Sequence, residues 1–176
     1  GNFFVLAEEQ TGGRGRQGKQ FFSPKGSGLY MTLALSRKIP LAEALGITAY
    51  AAVCVVKAIM QITGRDTQIK WVNDIFLDDK KICGILTEAV SDFESGTVSA
   101  VVVGIGINIR RADVPENLKD IVGFLSCYNS VCYNSVCHNS VCGDSVGNDS
   151  VKNSLAAAVA NALSRYEPGN SDYLSD

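Results

Sequence analysis

Gly13, Gly15 and Gly18 spell G-x-G-x-x-G, and the residues after them decide which fold classes remain open. A dinucleotide-binding βαβ unit needs a helix to begin at once, so that its N-terminus meets the pyrophosphate. Here the chain continues Lys19-Gln20-Phe21-Phe22-Ser23-Pro24-Lys25-Gly26-Ser27-Gly28 and then becomes strand-like. Pro24, Gly26 and Gly28 disfavour a helix, and no Gly-Lys-Ser/Thr is present for a Walker A loop. A doubly wound parallel sheet is therefore excluded. Residues 9–27 form a long loop, of the kind that in a compact domain is functional or disordered.

The rest of the chain reads as short-connected strands with two helices. Phe3 to Glu8 is expected as a buried strand. In Gly28 to Ser36, Leu29, Met31, Leu33 and Leu35 alternate against Tyr30, Thr32 and Ala34. Leu41 to Thr63 is expected as a helix with a stripe of Leu41, Ala44, Leu45, Thr48, Ala52, Val55, Val56 and Ile59, started by Pro40 and ended by Gly64. Gln68–Val72, Ile75–Leu77 with Lys81–Val90, and Thr97–Ile107 read as strands joined by turns at 77–80 and 91–96. Ser154 to Tyr166 reads as a second helix. Strands linked by turns, not by alternating helices, predict an α+β fold with a mixed, largely antiparallel sheet packed on helices.

Residues 127–151 stand apart as a five-residue repeat, CYNSV CYNSV CHNSV CGDSV GNDSV. Cys127, Cys132, Cys137, Cys142 and His138 are metal-ligand types, but zinc sites favour pairs two to four residues apart. About five copies are too few to bury a solenoid core. A flexible low-complexity insertion is the simpler expectation. The domain is then residues 1–126 and 152–176, with 127–151 inserted. Cys54 and Cys83 sit in apolar runs and read as small hydrophobes in a reducing, cytoplasmic setting. No apolar run in the sequence reads as a bilayer span. The chain opens on Gly1 and enters an apolar run at once, as expected of a fragment of a longer domain.

With 16 Lys and Arg against 18 Asp and Glu, no overall positive field draws nucleic acid. Anion binding must come from a local cluster. The glycine loop supplies one, with Arg14, Arg16 and Lys19 set between glycines whose N–H groups can turn toward an anion. A solvated basic turn has the same spelling. If it is a ligand loop, its self-repulsion makes it mobile when empty. Lys70-Trp71-Val72-Asn73-Asp74 ends a strand with a lysine among apolar neighbours, a charge poorly solvated unless it meets an anion. Asn73-Asp74 could equally be turn residues. Gly84 in Lys81-Ile82-Cys83-Gly84-Ile85-Leu86-Thr87-Glu88 marks a bulge or a close backbone approach. Gly104-Ile105-Gly106-Ile107-Asn108 puts two glycines and an amide at a strand end.

Taken in order, Ala7-Glu8-x-Gln10-Thr11-x-Gly13-Arg14-Gly15-Arg16-x-Gly18, Ser23-Pro24-x-Gly26, Lys70-Trp71-x-Asn73-Asp74, Lys81 with Gly84-Ile85-Leu86-x-Glu88, and Gly104-Ile105-Gly106-x-Asn108 resemble the biotin–protein ligase catalytic domain. Val72 stands where that family usually has Pro, and Phe21 where it usually has Trp. The resemblance implies a biotin/lipoate ligase-like, class II synthetase-like fold and ATP-dependent formation of biotinyl-5′-AMP. Biotin would then pass to a lysine of a biotin carboxyl carrier protein.

The resemblance also implies roles. The loop Gly13–Lys19, Gly15 included, would close over the adenylate. Arg14 and Arg16 would face the carboxylate and phosphates, and Gln10 would contact biotin. Lys70 would share the carboxylate–phosphate junction with Arg16, making these two the catalytic cations. Leu29, Tyr30, Gly84 and Ile85 would line the biotin pocket. Lys19, Phe21, Asn73, Asp74 and Asn108 would lie toward the nucleotide and its Mg²⁺, with no resident metal site of the protein itself. A Ser/Thr-Asn biotin motif would precede Gly1 and a small β-barrel would follow Asp176. Family domains often pair through sheet edges, so the resemblance allows a homodimer; it implies no membrane association. Two other readings stay open: a lipoate ligase or octanoyl transferase of the same fold, and a non-catalytic biotin-binding domain.

Overall fold

The structure is a computed structural model that describes residues 1–36, 39–40, 44, 46–92, 94, 96–125 and 146–167. Among them lie strands β1 (Phe3–Ala7), β2 (Gly28–Leu35), β3 (Ile39–Pro40), β4 (Gln68–Lys70), β5 (Asp74–Leu77), β6 (Lys80–Asp92) and β7 (Thr97–Asn108). Two helices, α1 (Gly46–Thr63) and α2 (Val146–Ser164), complete the regular structure, with 3-10 turns at Arg16–Gly18 and Glu116–Leu118. The strands form one sheet in the order β1-β2-β7-β6-β5-β4, with β3 also pairing β7. Every ladder is antiparallel. The α+β class expected from turn-linked strands holds.

Alternation divides the sheet into two faces. Leu29, Met31 and Leu33 of β2 and Val101, Val103, Ile105 and Ile107 of β7 are buried on the face that carries the helices. Their neighbours Tyr30, Thr32, Val102, Gly104 and Gly106 turn to the other face and line a cavity. The core is thus one layer, between sheet and helices, and the opposite face is free for a site.

The helix α1 is apolar over more than the expected stripe. Ile47, Ala51, Ala52, Cys54, Val55, Ala58 and Ile59 are buried because α1 has two partners, the sheet and α2. Thr48 Oγ1 bonds Thr87 Oγ1 of β6 at 2.9 Å, and Tyr50 OH donates to Ala162 O of α2 at 3.0 Å. By length and composition α1 could cross a membrane, contrary to the sequence expectation. Residues 41–43 and 45 lie outside the described residues.

Two further expectations are corrected. β1 is a strand but not a buried one: Phe3, Phe4, Val5 and Leu6 are 41–62% exposed, because β1 is the sheet edge and pairs only with β2. The helix expected from Ser154 begins at Val146, so the last copy of the repeat forms its first turns. The remainder of the repeat, through Ser145, lies outside the described residues.

Cys54 and Cys83 are buried free thiols. Burial pushes the Cys54 thiol up to about 11, and burial also raises Cys83, which lies in the core of β6. Thiolate is the reactive species, so both stay inert near neutral pH. Brief iodoacetamide treatment of native protein at pH 8, followed by peptide mass mapping, is expected to leave Cys54 and Cys83 unmodified. Rapid labelling of either would contradict their packing.

Candidate active site

The glycine loop folds back on itself as a small hairpin. Gly15 N–H donates to Lys19 O at 2.7 Å, Phe21 N–H donates to Gly13 O at 3.0 Å, and Arg14 bridges Gln20. Gly18 supports the tip with φ +73°, in the left-handed region that favours glycine. Gly13 is glycine for a different reason: a Cβ there would sit 2.4 Å from Phe21 O. The mutual repulsion expected of the loop cations is relieved by separate partners. Arg16 Nη1 donates to Asn73 Oδ1 at 2.8 Å, and Arg14 lies 3.8 Å from the Glu88 carboxylate. The Arg14 pair is well exposed, so it contributes little stability.

Under this hairpin lies a cavity of about 360 Å³, a size suited to a small-molecule ligand. Its floor is built by cross-strand rows of the sheet. One row runs Ala7, Tyr30, Gly106, Gly84, Asp74 and Lys70 across six strands. The next runs Val5, Thr32, Gly104 and Leu86. The Phe21 ring rests on the glycine pair: a Cβ at Gly106 would lie 2.4 Å from it and one at Gly84 2.9 Å. Gly104 is different, because a Cβ there would meet only Leu86 atoms, 3.6 Å away or more. The missing side chain at Gly104 therefore leaves open space over the floor, not room for another part of the protein.

The loop is tied down at its base. Gln10 Nε2 donates to Ser23 Oγ at 2.9 Å, and its N–H donates to Ser23 O. Tyr30 OH donates to Pro24 O at 3.1 Å and lies 2.9 Å from Ser27 Oγ. Burial raises the Tyr30 hydroxyl above its ordinary pKa, partly offset by Ser27, so it remains a neutral donor. Glu8, at the loop entrance, is held below the usual carboxylate range by its bond to Lys152 of α2, 2.6 Å away.

Of the residues singled out by sequence, Gln10, Arg14, Gly15, Arg16, Phe21, Tyr30, Asn73, Gly84 and Ile85 line the cavity. Gly13 and Lys19 border instead a second cavity, about 640 Å³, along the loop with Leu86 and Glu88. Leu29 does not reach the site; it is fully buried in the core, because neighbours in a strand face opposite ways. Asn108 is buried too, and its amide donates to Gly123 O at 3.2 Å. Asp74 is not among the lining residues. It lies behind them, receiving Asn73 Nδ2 at 3.0 Å and Lys81 Nζ at 2.7 Å.

Lys70 lies apart from the cavity lining. It shares the row of Gly106 and Gly84 but sits at its far end, on the edge strand β4 beyond Asp74. It is exposed, with its ammonium 5.2 Å from the Phe76 ring centroid, and does not line the cavity. The premise of a poorly solvated charge fails because β4 is a sheet edge. The lysine that does line the cavity is Lys81. Simple alternation would put Lys81 on the core face with Cys83, opposite Gly84. A β-bulge reverses this: Ile75 pairs Cys83 but Phe76 pairs Lys81, leaving Ile82 extra. Lys81 thereby turns to the face of Asp74 and Gly84, 6.0 Å from the Phe21 ring centroid. The sequence contains its motif but no signal for the bulge; of the two readings of Gly84, a bulge or a close approach, the structure shows the approach, by the Phe21 ring.

An antiparallel sheet with helices on one face and, on the other, a glycine floor under a cationic hairpin is the architecture of a small-acid ligase domain. Residues 1–108 match the Biotin/lipoate A/B protein ligase family, and the chain belongs to it. It is 44% identical over 124 residues to the bifunctional ligase/repressor BirA of Bacillus subtilis, an alignment covering 69% of this chain and 38% of that protein. The chain thus spans about two fifths of that relative's length. The fold resembles the Aquifex aeolicus biotin protein ligase in complex with biotin and ATP, at TM-score 0.64 and 25% identity, covering 92% of this chain and 60% of the other. It also resembles the Leishmania major biotin protein ligase in complex with biotinyl-5-AMP, at TM-score 0.60 and 25% identity, covering 92% and 63%.

Proposed function

We propose that this chain is the adenylate-forming part of a biotin–protein ligase, with biotin and MgATP as substrates and a carrier-protein lysine as final acceptor. The observation that carries the reading is the open glycine floor at Gly104 beneath a hairpin whose Arg14 and Arg16, with Lys81, line the same cavity. A flat apolar floor suits a small bicyclic ring, and the cations suit its carboxylate and the phosphate it attacks.

In this reading a biotin carboxylate oxygen bonds to the α-phosphorus of ATP. The bond from that phosphorus to the bridging oxygen breaks, and pyrophosphate leaves. The two anions repel, and Arg16 and Lys70 reduce that repulsion and stabilise the charge of the in-line transition state. Arg16 exchanges Asn73 for a phosphate oxygen, and Lys70 reaches the anion from the end of the row that carries Gly106 and Gly84. The acceptor amine then attacks the carbonyl carbon, AMP departs and the amine loses its proton. The hairpin over the cavity keeps water from the mixed anhydride. Mg²⁺ arrives as part of the ATP substrate. Asp74 is paired with Lys81 at 2.7 Å.

The purified chain is expected to release pyrophosphate from ATP in the presence of biotin and to retain biotinyl-AMP. With a biotin carrier protein added, the label should appear on the carrier lysine. Unlabelled lipoate in excess should not compete. Effective competition by lipoate would move the reading to the lipoate branch of the family. Tight biotin binding without pyrophosphate release would make the chain a binding domain.

A further inference from the structure

The loop of residues 9–27 is rooted differently at its two ends. Its exit is fastened to the end of β7, where Ser27 O accepts the N–H groups of Ile109 and Arg110 at 2.9 and 2.7 Å. Its entrance has backbone ties of another kind. Gly26 N–H donates to Glu8 O at 3.3 Å, and Gln10 N–H donates to Ser23 O at 3.1 Å. Both bonds close the neck of the loop on itself, and neither reaches a strand or a helix.

A side-chain contact does reach the helix layer. Ala7, the last residue of β1, faces the cavity, so Glu8 turns to the opposite side of the sheet. There Lys152 of α2 donates to Glu8 Oε1 at 2.6 Å. The Lys152 side chain is 14% exposed, against 66% for Glu8. Its ammonium is therefore carried on a stem packed against the protein, not on a free surface arm. Among the described residues a small cavity of about 100 Å³ lies between α2 and the loop root, with Gly26, Ser27 and Asp149 on its walls. Packing does not fill that gap, and the ion pair spans it.

We propose that Lys152 is a positioning residue for the glycine loop: through Glu8 it latches the entrance of the loop to α2 and slows loop opening. The proposal rests on the reading of the loop as the cover of an acyl-adenylate, and it adds the group that holds the cover shut. α2 begins at Val146, within the five-residue repeat, so the latch also ties that part of the chain to the ligand loop.

Hydrogen exchange of the whole chain without ligand, read by peptide mass analysis, tests the latch itself. Lys152→Met keeps the packed stem. In this variant the peptide of residues 9–27 is expected to exchange about three- to fivefold faster, the upper range for a partly exposed ion pair. Peptides of β2 and β7 should keep their wild-type rates, whereas general loosening would speed them too. Glu8→Gln, made on the exposed partner, should have the same effect, and the double variant should add nothing further. Lys152→Arg should retain the wild-type protection. Unchanged loop exchange in both single variants overturns the latch, as does equal acceleration of the sheet peptides. With biotin and ATP, biotinyl-AMP is expected to escape faster from both variants by the same factor, while its formation changes little. Escape at the wild-type rate from a loop that does exchange faster overturns the control of retention. Failure of the unaltered chain to form any adenylate overturns the adenylate reading instead, and the exchange result still decides the latch.

Discussion

Lys70→Met slows adenylate formation by about 10²–10³-fold, the usual cost of removing one preorganised group that stabilises transition-state charge, and Lys81→Met has the smaller effect. Met keeps most of the apolar stem in each case, so the comparison isolates the ammonium. Both lysines stand in conspicuous motifs and flank the same aspartate. Lys81 lines the cavity but is held by Asp74 at 2.7 Å, whereas Lys70, at the end of the row on the exposed edge strand, keeps its ammonium by the Phe76 ring, available to an arriving anion. Biotin-dependent ATP–pyrophosphate exchange measures the step directly, with unfolding curves to show that both variants fold. The assignment is refuted should Lys81→Met prove the more damaging. Arg16→Ala should resemble Lys70→Met, since Arg16 lines the cavity and its partner there is a neutral amide, Asn73 Oδ1.

Two glycine substitutions, two residues apart on β7, should fail in opposite ways. At Gly106 a methyl would lie 2.4 Å from the Phe21 ring, which must leave its seat. That ring belongs to the loop and not to the core, so the cost falls on closing the loop. Overpacking costs about 1–3 kcal/mol, which taken wholly from binding is a loss of roughly five- to hundredfold. At Gly104 a methyl meets nothing closer than Leu86 O at 3.6 Å. Gly104→Ala should leave the fold intact or stabilise it by about 0.5–1 kcal/mol, the ordinary gain from replacing a strand glycine. It should still weaken biotin binding, because only the ligand would meet the added methyl. Calorimetric Kd values with Tm for each variant check both statements. A Gly104→Ala protein that binds biotin normally would show that the ligand does not lie over Gly104.

The bulge explains why the site residues are unequally legible in the sequence. Gly84, Gly104, Gly106 and Tyr30 can be placed because they lie on regular strands, where period two assigns a face. Leu29 adjoins Tyr30, and the same period sends it to the core instead of the pocket. The motif around Asn108 points toward the nucleotide, but its side chain meets the returning segment at Gly123, fifteen residues on. No local pattern announces that return. β1 reads as buried because four apolar residues in a row usually are, yet burial depends on what covers an edge.

By itself the sequence determined the antiparallel α+β class, the rejection of a nucleotide-binding βαβ unit, and the family, through glycines and cations in a fixed order. These rest on local rules: period-two alternation, the helix-breaking residues after Gly18, and backbone demands that only glycine meets. Only the tertiary structure decided which lysine faces the cavity, where Phe21 rests, and which strand ends are clamped or exposed. Those depend on register across strands far apart in the chain, and one extra residue, Ile82, reverses the face on which Lys81 stands.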